Sequence, residues 1–428
     1  MIEQKFEAAV GMSRKWDARE AGREVAETAI KKLSRPPDFF LLFSTIHYEK
    51  HGGFQEFLNG VWDVLPKGTP LVGGTVAGFM NPEGCYTRGA TAMAVSYPNM
   101  NVAVGFGKNT KRNPLTAARK CAKMLKEGLK ESSYQNKFIM TIISGGLVPQ
   151  ILGMGRKKVI RGATSKIAVN LSQFSLTFFQ KGVGREEEIL DEFSKFFHDY
   201  YIIHGSSMDN GKAISNYQFF NHKVGTNMIV SLGVTVDLKM NISSKHNLKE
   251  IKTFNANKLS KDGRIIHQIN NKPATEEFLR LLNWPEQYFD ERLFKRTFFY
   301  PLGYKEDDHW VPEIVGIIPG NSMNLLHNIK NKEMAILSAS GKNLMGAVTN
   351  GLSELDPDNT LMSIISTCDG RLEALGGQVF KVRDEILNFF SDVPFIAVYC
   401  GGEGTKKPFE KPKYGNVTFN SFAIKQTA

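Results

Sequence analysis

The sequence predicts an α/β fold of layered mixed sheets flanked by helices, built from a strand–helix–strand–hairpin unit that recurs. Three observations predict it. First, an apolar run, a helical stretch and a second apolar run follow one another three times. They begin at Phe39, Phe138 and Met362, and their second runs end near Val72, Ile203 and Val398. Second, the runs end in small polar, thiol or glycine residues. These are Ser44-Thr45 with Gly73-Gly74-Thr75, Ser144-Gly145-Gly146 with His204-Gly205-Ser206-Ser207, and Ser366-Thr367-Cys368-Asp369-Gly370-Arg371 with Gly401-Gly402-Glu403-Gly404. Third, a hairpin-like run follows each unit, at Gly89–Val95, Gly225–Val230 and Asn416–Phe419. Parallel neighbours would bring both tips of a unit to one sheet edge, where open α/β sheets hold their ligands. Matching copies at this spacing favour an internal duplication over chance.

In chain order, Lys5 to Met12 reads as a strand, and Asp17 with Glu20 forms a capping box that opens a helix to about Lys32. Pro36-Pro37 closes it. A helix follows the first strand from Phe54 to about Leu65, and Pro114 opens another at a position where its missing N–H costs nothing. Gly153-Met154-Gly155-Arg156 begins like a dinucleotide loop, but no glycine follows at the required place, so that reading is rejected. The second unit carries a helix over Glu186–Phe197. Ser243–Asn257 is polar and lysine-rich, the best boundary between domains expected at 1–245 and 246–428. Arg264–Ile269 reads as a strand and Pro273-Ala274 opens a helix through Leu282. In the third unit Val379, Val382, Ile386, Phe389 and Phe390 line one helical face.

Composition narrows the function classes. In 428 residues, 42% are hydrophobic and 23% charged, as expected of a globular chain with ample core. No apolar run approaches a membrane span, and the charged N-terminus lacks the apolar centre of a signal peptide, so a cytoplasmic protein is expected. The net charge of +11 is spread rather than blocked; its densest run, Arg156-Lys157-Lys158 with Arg161, reads as solvated surface, and no nucleic-acid motif accompanies it. Cys85, Cys121, Cys368 and Cys400 show no metal-finger spacing; Cys121 sits on an apolar helical face, while Cys368 and Cys400 end two strands that could adjoin. There is no P-loop and no nucleophile elbow.

The residues with chemistry cluster at the tips. Arg371 offers a planar fork for a carboxylate and Glu403 a partner for an ammonium, a combination suited to a zwitterion; the alternative is a salt bridge between the two that ties loops. Ser144, Ser206, Thr75 and Thr367 could donate to a ligand or close turns. Gly73, Gly74 and Gly402 permit close backbone approach. Among nine histidines, His47 and His51 form the only i, i+4 pair, and His204 and His246 are the ones to weigh as haem ligands.

Several stretches together resemble the FIST domain family, with both its N-terminal and C-terminal parts. They are Pro70–Gly78, Ile203–Ser207 with Asp209, Asn271–Ala274, Tyr300–Gly303, Cys368–Arg371, Gly402–Gly404 and Asn416–Thr418. Gly74 and Phe79 stand where the family usually has Cys and Glu, and His246-Asn247 where it has His-Gly. The resemblance implies a sensory module that binds a small ligand such as an amino acid and signals through a separate protein partner. Some members resemble haem-based nitric oxide sensors, which makes haem a second possibility. An enzyme using Cys368 or Cys400, and a basic interaction protein, are further alternatives. The expected ligand-binding set is Gly73, Gly74, Thr75, Ser144, His204, Ser206, Thr367, Cys368, Arg371, Gly402 and Glu403, with no catalytic residue, no metal and no membrane or nucleic-acid partner.

Overall fold

A computed structural model describes residues 5–129, 134–148, 156–162, 167, 170 and 184–426. The rejected dinucleotide-like loop at 153–155 lies outside them.

The first unit runs β1 (Glu7–Ser13), α1 (Ala18–Ile30), β2 (Phe39–Ser44), α2 (Phe54–Trp62), β3 (Leu71–Thr75), a hairpin of β4 (Gly78–Asn81) and β5 (Gly84–Tyr86), then β6 (Ala90–Ser96). The second repeats it as β7 (Met100–Lys108), α3 (Pro114–Gly128), β8 (Asn136–Ser144), a short β9 (Val159–Ile160), α4 (Glu186–Ser194), β10 (Tyr201–Ser207), hairpin β11 (Gln218–Phe220) and β12 (Lys223–Gly225), and β13 (Met228–Val236). The third opens with β14 (Lys239–Lys245). An added segment follows, from β15 (Lys249–Asn255) to β23 (Glu333–Ser338), which contains α5 (Ala274–Leu281) and α6 (Leu293–Phe299). The unit then resumes with α7 (Gly341–Leu352), β24 (Thr360–Cys368), α8 (Asp369–Leu375), α9 (Val379–Phe390), β25 (Phe395–Cys400), hairpin β26 (Glu403–Lys406) and β27 (Lys413–Gly415), and β28 (Phe419–Lys425).

Each unit builds a six-stranded sheet in the same order. The orders are β1-β6-β2-β3-β11-β12, β7-β13-β8-β10-β26-β27 and β14-β28-β24-β25-β4-β5. In every sheet the central pair is parallel and its neighbours antiparallel. The outer hairpin of each sheet belongs to another unit: the first lends β4–β5 to the third, the second lends β11–β12 to the first, and the third lends β26–β27 to the second. The threefold repeat is therefore closed by a cyclic exchange of hairpins.

The central strands are buried on both faces, as the near-continuous apolar runs require. Phe39, Leu41 and Phe43 of β2 meet Phe138, Met140 and Ile142 of β8 and Ile364, Ile396 and Phe422 of the third sheet in one shared core. The alternate residues Phe40 and Leu42 pack under α1 and α2, and Ile139 and Ile143 under α3 and α4. Asp17 caps α1 by accepting from the Glu20 N–H at 3.0 Å, and Pro114 occupies the first turn of α3. Helices α2 and α4 end at Trp62 and Ser194, a turn short of the sequence reading. The strands run further than read: the polar tips themselves lie in the ladders, ending at Thr75, Ser144, Ser207, Cys368 and Cys400. Their backbone groups stay paired by the crossing hairpins.

Candidate functional site

The last rungs of the three parallel ladders are Ser44 with Thr75, Ser144 with Ser207, and Cys368 with Cys400. These are equivalent positions in the three units. Just beyond them the chain crosses into the neighbouring sheet, and the crossings bind one another. Met208 N donates to Thr75 O at 2.8 Å, Ala77 N to Tyr399 O at 2.9 Å, and Ser206 N to Gly402 O at 2.8 Å. The glycines allow this approach: a Cβ on Gly73 would stand 1.7 Å from Leu42 O, and one on Gly205 2.5 Å from Cys400 Sγ.

Most of the sequence-chosen residues are held inside this junction. Gly73 and Gly74 pair with β11, and Thr75 Oγ1 accepts from Tyr217 N. Ser144 donates to Asn216 Oδ1 at 2.9 Å, and Ser206 Oγ lies 3.3 Å from His204 Nε2. Thr367 donates to Thr418 O at 2.9 Å. Arg371 is 1% exposed and donates to the carbonyls of Val417 and Leu344 at 3.3 and 2.8 Å. Glu403, fully buried, accepts from Thr418 N and Oγ1 through Oε1; burial pushes its carboxyl up to about 8 despite those bonds. Arg371 and Glu403 influence each other electrostatically without a direct ion pair within 4 Å. Cys368 and Cys400 are side by side in register and free, with thiols that burial holds well above their ordinary value, against a thiolate nucleophile.

One step along the chain from several of these residues lies a cavity of about 60 Å³. Gly145, Ser207, Met208, Asp369 and Gly401 form its tip side. Phe294 and Phe298 of α6, with Ile314, Ile317 and Leu325 of the added segment, form an apolar wall opposite. None of the sequence-chosen residues lines it, although Ser144, Ser206, Cys368 and Gly402 are each next to one that does. The volume suits about four to six water-sized groups.

Lys158 and Asp369, of opposite sign, line this space together with the carboxylate of Glu186. Lys158, just before β9, lays its ammonium 3.8 Å from the centroid of the Phe294 ring and donates to Gly211 O at 2.7 Å. Gly211 sits in a loop that Asp209 pins by accepting from Ala213 N and Ile214 N. Burial lowers the Lys158 pKa to about 8, with Asp369 and Asp209 opposing the shift. Burial raises Asp369 to about 6, with Lys158 opposing. One ammonium N–H is spent on Gly211, which leaves others for an incoming acceptor. Within the basic run at 156–161, Lys157 and Arg161 are exposed, as read from the sequence, Arg161 lying 4.7 Å from the Phe289 ring centroid, while Lys158 alone turns inward.

Lys158 was passed over in the sequence as surface charge, and Asp369 as a neighbour of Arg371. The one available signal is that Asp369, inside the motif at 368–371, directly follows the last ladder rung and opens the next helix.

Haem does not fit these residues. His204 is fully buried within β10, and neither it nor His246 borders the cavity.

Three mixed sheets sharing one core, with a small cavity where strand tips meet, define a mixed α/β protein. The FIST N domain family model matches residues 38–272, more than half of the chain, and the protein belongs to the FIST family. FIST domains are generally sensory, small-ligand-binding domains of signal transduction rather than catalysts. The chain is also 22% identical over 247 residues to an uncharacterized protein of Methanocaldococcus jannaschii, across 55% of this chain and 48% of that one. It thus spans about half the length of that relative. Among the described residues no helix is long and apolar enough to cross a membrane.

Proposed function

We propose that this protein is a sensor of a small aliphatic amino acid, held in the cavity between the second- and third-unit tips and the added segment. The observation that carries this reading is the pair of Lys158 and Asp369, of opposite sign, facing one apolar space. Lys158 takes the ligand carboxylate, Asp369 takes the ammonium, and Phe294, Phe298, Ile314 and Leu325 take the side chain. A buried pair of this kind discriminates through its penalty: a ligand lacking either charge leaves a desolvated group unpaired. The ligand bridges the tips and the segment from β15 to β23, so binding favours one arrangement of the two, and a separate protein partner reads that arrangement.

The test is a thermal-melt screen of the whole chain against aliphatic L-amino acids at millimolar concentration. A rise in melting temperature for at least one, lost in Lys158→Met and in Asp369→Asn, supports the reading. No shift with any of them, or a shift that both variants keep, contradicts it.

A further inference from the structure

Beside the cavity lies a second group of side chains that the amino-acid reading does not use. Glu186 and Glu187 occupy the first two positions of α4, and His327 lies just past the short strand Met323–Leu325. They are 3%, 8% and 6% exposed, and each offers a ligand atom within 4.8 Å of the others.

Two features set this group apart from an ordinary buried ion-pair network. The first is an orphan: among the described residues Glu186 Oε2 and Glu187 Oε2 have no hydrogen-bond partner, a costly state for a buried carboxylate. The second is the support of the histidine. His327 Nδ1 lies 3.1 Å from Glu313 Oε2, while Glu313 Oε1 accepts from Asn416 Nδ2 at 3.1 Å and from its neighbour Ile314 N at 3.0 Å. The Glu313 carboxylate thereby holds the Nδ1 side of the ring, the arrangement in which a carboxylate orients a metal-bound imidazole through its other nitrogen.

From these we infer a divalent-cation site formed by the carboxylates of Glu186 and Glu187 and Nε2 of His327, oriented by Glu313. Two hard oxygens and one imidazole suit Zn²⁺ or Mn²⁺ rather than a thiolate-seeking ion. The ion ties α4 of the second unit to the added segment, across the wall of the ligand cavity that Glu186 also lines. The site stands independently of which molecule fills that cavity.

The experiment uses the full chain, stripped with chelator and titrated with Zn²⁺ by calorimetry and with Mn²⁺ by loss of the free-ion resonance signal. One ion per chain is expected. Glu186→Gln and His327→Gln weaken it at least tenfold, and Glu313→Gln, which touches the ion only through His327, weakens it about ten- to a hundredfold. Melts guard against misfolding. Metal-free Glu186→Gln melts at or above the wild type, because the change removes an unpartnered buried charge, and added Zn²⁺ raises the wild-type melt but not that of the variant. No binding of either ion by stripped wild type at millimolar concentration, or binding that Glu186→Gln leaves unchanged, overturns the inference and leaves the group an ion-pair network only.

Discussion

Asp369 and Arg371 stand two positions apart on α8, yet the first opens onto the cavity while the second is sealed, its guanidinium on the carbonyls of Val417 and Leu344. Two steps along a helix turn a side chain by about 200°, to the opposite side. The same split separates their partners. Glu403 has its Oε1 occupied by Thr418 inside the protein, whereas Lys158 comes from a different stretch and points its ammonium at an aromatic wall. Charge at a strand tip is thus available to a ligand only where the fold leaves a gap in front of it. The first unit makes the same point: its rung Ser44–Thr75 is closed by Tyr217 and Gly89, while the equivalent rungs of the other two units adjoin the cavity.

The contrast can be broken by mutation, and the largest effect belongs to the sealed residue. Arg371→Ala removes the side-chain donor to two buried carbonyls and opens a void beside Phe419, so it is expected to cost about 3–5 kcal/mol of stability in denaturant unfolding. Arg371→Lys recovers only part, because one ammonium does not span both carbonyls as the fork does. An Arg371→Ala protein that keeps its stability but loses ligand binding would reverse the assignment of the two residues.

Next come the cavity charges. Asp369→Asn and Lys158→Met are each expected to weaken amino-acid binding about ten- to a hundredfold, with little loss of stability in the unliganded protein. Both groups are held in their charged forms against burial, so neutral replacements relieve a cost.

The smallest effect is on pH dependence. Asp369, raised to about 6, loses its charge as pH falls through that value, and Lys158, lowered to about 8, loses its charge as pH rises through that one. Affinity measured by titration should therefore peak near pH 7 and fall about tenfold by pH 5 and by pH 9. The unliganded protein has the opposite trend from these groups: Asp369 adds stability as pH drops toward its unfolded value of 3.8, and Lys158 adds it as pH rises toward 10.5. Flat affinity across this range would remove the charge pair from the account.

The repeat was readable in the sequence because its signals are local: alternation, helix caps and polar residues closing apolar runs. The α/β class follows from them, while the family resemblance rests on particular matching stretches such as Pro70–Gly78 and Cys368–Arg371. The hairpin exchange was not readable, since nothing near Gly78–Tyr86 says that its partner is β25. The polar run Ser243–Asn257 contains β15, an edge strand whose residues are mostly exposed, because edges are kept polar. At the tips the residues chosen from the sequence adjoin those that line the cavity, because sequence gives position along a strand but not the direction of a side chain beyond its end. Lys158 was hidden by two basic neighbours, and the aromatic wall that desolvates it arrives from Phe294, far along the chain. Glu186, Glu187 and His327 are equally distant in sequence, so no metal-like spacing could mark them.

The central claim is that one cavity demands both charges of its ligand. The direct measurement is calorimetric titration at pH 7 of the aliphatic amino acid that gives the largest melt shift, beside its deaminated acid and its decarboxylated amine. The account predicts that each single-charge analogue binds at least tenfold more weakly than the amino acid, and that Asp369→Asn narrows the gap to the acid while Lys158→Met narrows the gap to the amine. Equal binding of the amino acid and either analogue to the wild-type protein would contradict it.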